Sequence, residues 1–205
     1  MRTDPWTVMD WLWPSDNEYH IPLLAPADDY GVDLPVVAWG SIGRSRSMPG
    51  TFQFYVDDYR FDRLWKAPHA PIDTGCKSLV EPNVSLFDQT PRAAAIWAVY
   101  RKRWLARYWQ SRCRRVWVDL NVPAAFQSLN LLGVPAGWKH FATRGYDRRL
   151  HSLDNEYHVA RNHNGNATLL VIGGGSSVAE WCRAHEQVTH VPYADTRQAY
   201  SKAHA

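Results

Sequence analysis

The sequence predicts an α/β fold: a single domain with a mostly parallel sheet and crossover helices, arranged as an incomplete β/α barrel or an open doubly wound sheet. Three observations carry this. From residue 36 on, short apolar runs of four to six residues recur with helical periods between most of them, and strands joined through helices run parallel. The chain has 205 residues, 45% hydrophobic and 21% charged, enough to bury one core without disulfides or a structural metal. No repeat or low-complexity tract interrupts the pattern after residue 50.

The elements follow in order. Residues 1–35 read as a Trp-rich N-terminal helix, opened at Asp4 and Pro5 and ended by Pro14, followed by a Pro-rich connector. The α/β domain then spans 36–195, with a tail over 196–205. Strands are expected at 36–39, 51–56, 78–81, 116–120, 139–143, 168–172 and 188–191. Helices are expected at 57–65, at 90–111 with Thr90 as cap and Pro91 in the first turn, at 123–132 closed by Gly133, at 150–163 and at 176–185. Residues 40–50, with Arg44 and Arg46 among Gly and Ser, read as a basic loop.

Charge divides the chain. Residues 1–90 hold 7 Lys/Arg against 13 Asp/Glu, and residues 91–205 hold 16 against 7. The densest basic stretch, 92–115, has eight cations and no acid. Such a field draws nucleic acid, unless the acidic half folds against it. Cys76, Cys113 and Cys182 lack metal-ligand spacing and read as reduced thiols, and the scattered histidines form no zinc motif. No run of eighteen apolar residues exists and the first residues lack a secretory pattern, so no membrane association and a cytoplasmic location are expected.

Both candidate architectures place ligands at the carboxyl ends of the strands. The residues just past each strand are Asp57 and Asp58, Glu81 and Asn83, Asp119 and Asn121, Arg144, and the loop Gly173, Gly174, Gly175, Ser176. Carboxylates on three successive strands suit a divalent cation, Mg²⁺ or Mn²⁺, so Asp57, Asp58, Glu81 and Asp119 are the candidate catalytic and metal-binding residues. Asn83, Asn121, Arg144 and the glycine loop are the candidate substrate contacts, the loop through its amides. Asp and Asn also favour these positions simply to turn the chain and cap helices.

On the 90–111 helix, Ala93, Trp97, Tyr100, Trp104 and Tyr108 share a face that reads as the core stripe. Arg101 falls within it and is expected to need a carboxylate partner. Arg92, Arg103 and Arg107 lie opposite and, with Arg44 and Arg46, are the candidate nucleic-acid contacts.

Residues 54–68 (FYVDDYRFDRLWKAP), 81–87 (EPNVSLF) and 96–110 (IWAVYRKRWLARYWQ), with an earlier IPLL at 21–24, resemble the DUF4417 family of bacteria and their phages over about residues 20–145. Asn83 stands where an Asp is expected in that pattern. The resemblance implies a phage or mobile-element setting and picks out Asp57, Asp58, Arg60, Glu81, Arg101 and Arg103 as motif positions. The leading expectation is therefore a protein of the bacterial host cytoplasm acting on nucleic acid or nucleotides by metal-dependent phosphodiester chemistry. The alternatives are a nucleic-acid-binding module without chemistry, a host-takeover module docking on a host protein through Trp6, Trp11 and Trp13, and a glycosidase using a carboxylate pair.

Overall fold

The computed structural model describes residues 12–41 and 47–193. The expected N-terminal helix apart from Leu12, Trp13 and Pro14, the loop residues Arg44 and Arg46, and the 196–205 tail lie outside them. Seven strands form one sheet: β1 (Val36–Ala38), β2 (Thr51–Gln53), β3 (Ser78–Val80), β4 (Arg115–Asp119), β5 (His140–Arg144), β6 (Thr168–Ile172) and β7 (Val188–Val191). Their spatial order equals their chain order, and every pair is parallel. A sheet that always adds the next strand on the same edge curls, and this one forms a half-barrel. The open doubly wound alternative is thereby excluded, because it needs a reversal of strand order.

Four helices lie between the later strands: α1 (Arg92–Ser111), α2 (Gln127–Asn130), α3 (Leu150–His163) and α4 (Ser176–Ala184). The expected helix at 57–65 is instead two 3-10 turns, Asp58–Arg60 and Asp62–Trp65, and the one at 123–132 is a 3-10 turn followed by the single turn of α2. Short segments lack the length to repay helix nucleation, so tertiary packing sets their shape.

The period-2 alternation of the strands separates two cores. Phe52, Leu79, Val116, Val118, Phe141, Leu169 and Val171 pack with Trp104, Trp109, Leu153 and Val178 of the helices. Val36, Val80, Trp117, Ala142, Leu170 and Ile172 form the other cluster, in which no side chain of α1 to α4 takes part among the described residues and against which Tyr30, Val32 and Tyr193 pack. The connector is thus a strap across the face opposite α1 to α4. Tyr30 stacks on His140 at 3.5 Å, the His140 ring bonds the Asp28 carbonyl at 3.0 Å, and the Thr51 hydroxyl donates to the Asp33 carbonyl at 2.7 Å. The inner face is closed by the chain itself near the amino ends of the strands.

Helix α1 is buried on more than its sheet side. Ile21 from the connector and Phe126 and Leu129 from the β4–β5 crossover pack on Ala95 and Val99. Gln110 exchanges two hydrogen bonds with the Ala25 backbone. At the same junction Gly133 has φ +72°, and a Cβ there would lie 2.1 Å from the Pro22 carbonyl oxygen. Only glycine fits.

This wrapping corrects the expected phase of α1. Trp97, assigned to the core stripe, is 38% exposed, whereas Arg103 is wholly buried. Arg101 is half-buried, with its guanidinium over the Trp97 ring at 5.6 Å, and no ion pair among the described residues includes it. The cations needing carboxylates are its neighbours, Lys102 and Arg103.

Candidate functional site: the carboxyl rim of the sheet

Glu81 directly follows β3 and Asp119 ends β4, and both are fully buried. Helix α1 crosses behind them and delivers Lys102 and Arg103 from adjacent positions. Arg103 pairs with Glu81 Oε1 and donates to the Asn130 and Leu132 carbonyls at 2.6 and 3.2 Å. Lys102 Nζ lies 3.2 Å from Asp119 Oδ2 and 3.9 Å from Glu81 Oε2. Glu81 Oε2 also accepts the Asp119 amide, while Asp119 Oδ1 accepts the Tyr55 hydroxyl and the Asn121 amide. Asn83 Nδ2 completes Asp119 Oδ2 at 3.1 Å.

Two anions and two cations therefore pair directly with one another in the interior, the arrangement a buried ionic group requires. Burial pushes the Glu81 carboxyl up, and Arg103 with Lys102 pulls it back. Burial likewise makes the Tyr55 hydroxyl harder to ionise, and the adjacent Asp119 carboxylate adds to this. The quartet is a rigid floor under the rim.

The four carboxylates expected to converge do not form one cluster. Asp57 is exposed, and Asp58 accepts the Ser85 amide and hydroxyl at 3.1 and 2.9 Å. Among the described residues no group of three His, Cys, Asp or Glu side chains is placed to hold a metal ion. Every oxygen of Glu81 and Asp119 is already matched to protein donors, so this donor set does not fit Mg²⁺ or Mn²⁺ as ligands.

The expected substrate contacts divide. Asn83 and Asn121 bond each other at 3.1 Å and, with Arg144, line a cleft of about 620 Å³ above the floor. The Gly173–Ser176 loop is turned to a different use: its amide at Gly175, with that of Val178, is bonded by the Asp147 carboxylate at 2.7 and 3.2 Å. These bonds hold the Asp147 carboxyl below the usual carboxylate range. The loop does cradle an anion, supplied by the chain itself. The nucleic-acid set is scattered: Arg92 is exposed, Arg107 covers the Trp13 ring at 4.8 Å, and Arg103 is spent on Glu81.

The rest of the cleft was not anticipated. Its walls include Phe87, Gln127, Tyr146, Arg149, His151 and Glu156. Arg144 and Arg149 both lie against the Tyr146 ring, at 4.7 and 5.3 Å, and neither is in an ion pair among the described residues. Glu156 is 5% exposed, takes a hydrogen bond from the Thr143 hydroxyl, and is pushed by burial up to about 8. Its signal was present in sequence: Leu153, Glu156 and Ala160 share the buried stripe of α3, where an acid has no ordinary place.

Fold and site together define an open parallel β/α half-barrel with a cationic cleft at its carboxyl rim. The chain belongs to the family described as Domain of unknown function (DUF4417), whose model matches residues 13–137. It is similar to the Gene 1 protein of Mycobacterium phage D29, 38% identical over 106 residues, covering 49% of this chain and 38% of that protein. The Gene 1 protein of Mycobacterium phage L5 is 37% identical over 103 residues, covering 47% and 44%. The chain thus aligns with less than half the length of these curated relatives. No solved structure matches. The family match contains the buried quartet, while Arg144, Arg149 and Glu156 lie beyond it. Among the described residues no helix is long and apolar enough to cross a membrane.

Proposed function

We propose that the rim cleft binds a phosphate-bearing ligand of nucleic-acid chemistry, a nucleotide or a nucleotide unit of a strand. The observation that carries this reading is the pair of guanidinium groups, Arg144 and Arg149, both set against the Tyr146 ring on the cleft wall, with Arg144 also against Tyr193, and in no ion pair with a carboxylate among the described residues. Guanidinium forks match phosphate oxygens, and stacking on an aromatic ring fixes their planes. Phe87, 67% exposed at the cleft, offers a face for a base, and the amides of Asn83, Asn121 and Gln127 offer donors and acceptors for its edge. The phage relatives favour a setting where such ligands abound, the cytoplasm of an infected cell. The cleft, rather than an Asp57–Asp58–Glu81–Asp119 metal centre, is the place for any chemistry on that ligand.

Calorimetric titration of the chain with nucleoside monophosphates and with short single-stranded DNA and RNA tests this. Binding is expected at low salt, with a loss of about 10- to 100-fold in Arg144→Ala, the worth of one charge-assisted contact. Absence of binding to all of these at millimolar concentration, or equal affinity in the Arg144→Ala/Arg149→Ala double variant, overturns it.

A further inference from the structure

We propose that Glu156 is a ligand-binding residue of the cleft, a neutral carboxyl that donates a hydrogen bond to the phosphate of a bound monoester. This rests on the cleft being a phosphate site and goes beyond it by naming the donor and the form of phosphate. The geometry is specific. Glu156 lines the cleft yet is almost wholly buried, and none of the ion pairs among the described residues includes it. Lys102, the lysine of the buried network, is committed to Asp119 and Glu81. A carboxyl in this position is held neutral by burial and by the neighbouring Asp119 charge, with the Thr143 bond opposing.

Thr143 engages Oε2, and Oε1 has no hydrogen-bond partner among the described residues, so a carboxyl hydrogen carried on Oε1 is available to a ligand in the cleft. The groups around it are defined. Strand β5 presents Thr143 and Arg144, β4 presents Asp119, and Tyr55 follows β2. Strand β6 has no titratable residue, and His185, just past the end of α4, faces Asp154 at 3.7 Å instead. Arg149 and His151 at the start of α3, with the exposed Asp88 after β3, complete the charged and titratable lining of the cleft. Two guanidinium groups and one neutral donor suit the terminal phosphate of a monoester, with its three unesterified oxygens. Ionised, the same carboxyl would repel that phosphate.

Affinity for adenosine 5′-monophosphate, measured by calorimetry from pH 7 to 9.5, tests the inference. The phosphate is already a dianion through this range, its second pKa being about 6. Wild-type affinity should be level to about pH 8 and then fall about tenfold per unit, as the required proton is lost. Glu156→Gln, which keeps a neutral donor, should bind with no such fall. Thermal unfolding at pH 9.5 establishes that the variant is folded. A level wild-type profile, or the same fall in Glu156→Gln, overturns the role of Glu156 and leaves the Arg144 result standing for the cleft. No binding at pH 7 overturns both.

Discussion

Replacing Arg103 by Met is the most severe single test of how the rim is held. The methionine fills much of the volume of the arginine stem, so the cavity is small and the loss is mainly electrostatic. Glu81, with no exposed surface, would keep only Lys102 at 3.9 Å and the Asp119 amide at 3.2 Å. Breaking one side of a buried pair costs about 3 to 5 kcal/mol. The Asn130 and Leu132 carbonyls also lose their guanidinium donor, at about 1 to 3 kcal/mol for each buried group left unsatisfied. Some relaxation offsets these, and about 5 kcal/mol is the expected total. For a chain of this size that is a fall in Tm of about 10 to 20 °C. Urea unfolding followed by tryptophan fluorescence measures it. Removing the anion as well, in Glu81→Leu/Arg103→Met, should recover part of the loss, and Arg101→Ala should cost under about 1 kcal/mol because its guanidinium lies over a ring and not a carboxylate. A loss below about 1 kcal/mol in Arg103→Met, or an Arg101→Ala loss as large, refutes the reasoning.

Two further outcomes follow from the same geometry. Gly133→Ala forces a left-handed φ on a residue with a Cβ and drives that carbon to 2.1 Å from the Pro22 oxygen; a loss of about 2 to 4 kcal/mol in urea is expected, and an unchanged midpoint would contradict the packing of the connector on α1. Glu156 has a folded pKa raised from 4.5 to about 8, so its contribution to stability is fully present below 4.5 and is lost as pH rises to 8. Wild type should therefore weaken across that window by up to about 5 kcal/mol relative to Glu156→Gln, and parallel urea midpoints for the two proteins at pH 5 and 8.5 would contradict it.

Much of the architecture was legible because it depends on local pattern. The runs 168–172 and 188–191 and the helix at 150–163 appear at the expected residues, since each has a clear period and flanking turn residues. The phase of α1 was not legible. An amphipathic helix shows which side chains are aromatic, but not that a connector 70 or more residues earlier returns to cover a second face through Ile21 and Ala25. That covering exchanges the roles of Arg101 and Arg103.

The rim followed the same division. Strand ends named Glu81, Asn83, Asp119, Asn121 and Arg144, which do meet at the rim, because the carboxyl-end rule depends only on parallel pairing. It could not show that Lys102 and Arg103 would neutralise the acids from behind, which turns an expected metal set into an internal salt network. Nor could it separate Asp147, one residue past Tyr146, from a solvent-facing turn residue. Its bond to the glycine loop spans 28 residues of sequence.

Mapping amide and side-chain NMR shifts on titration with adenosine 5′-monophosphate at pH 7 tests the cleft most directly. The account predicts shifts concentrated at Asn83, Asn121, Arg144, Tyr146, Arg149 and Glu156, with the Arg92 and Arg112 ends of α1 unmoved. Shifts spread over the exposed arginines of α1, or none at the carboxyl rim, would contradict it.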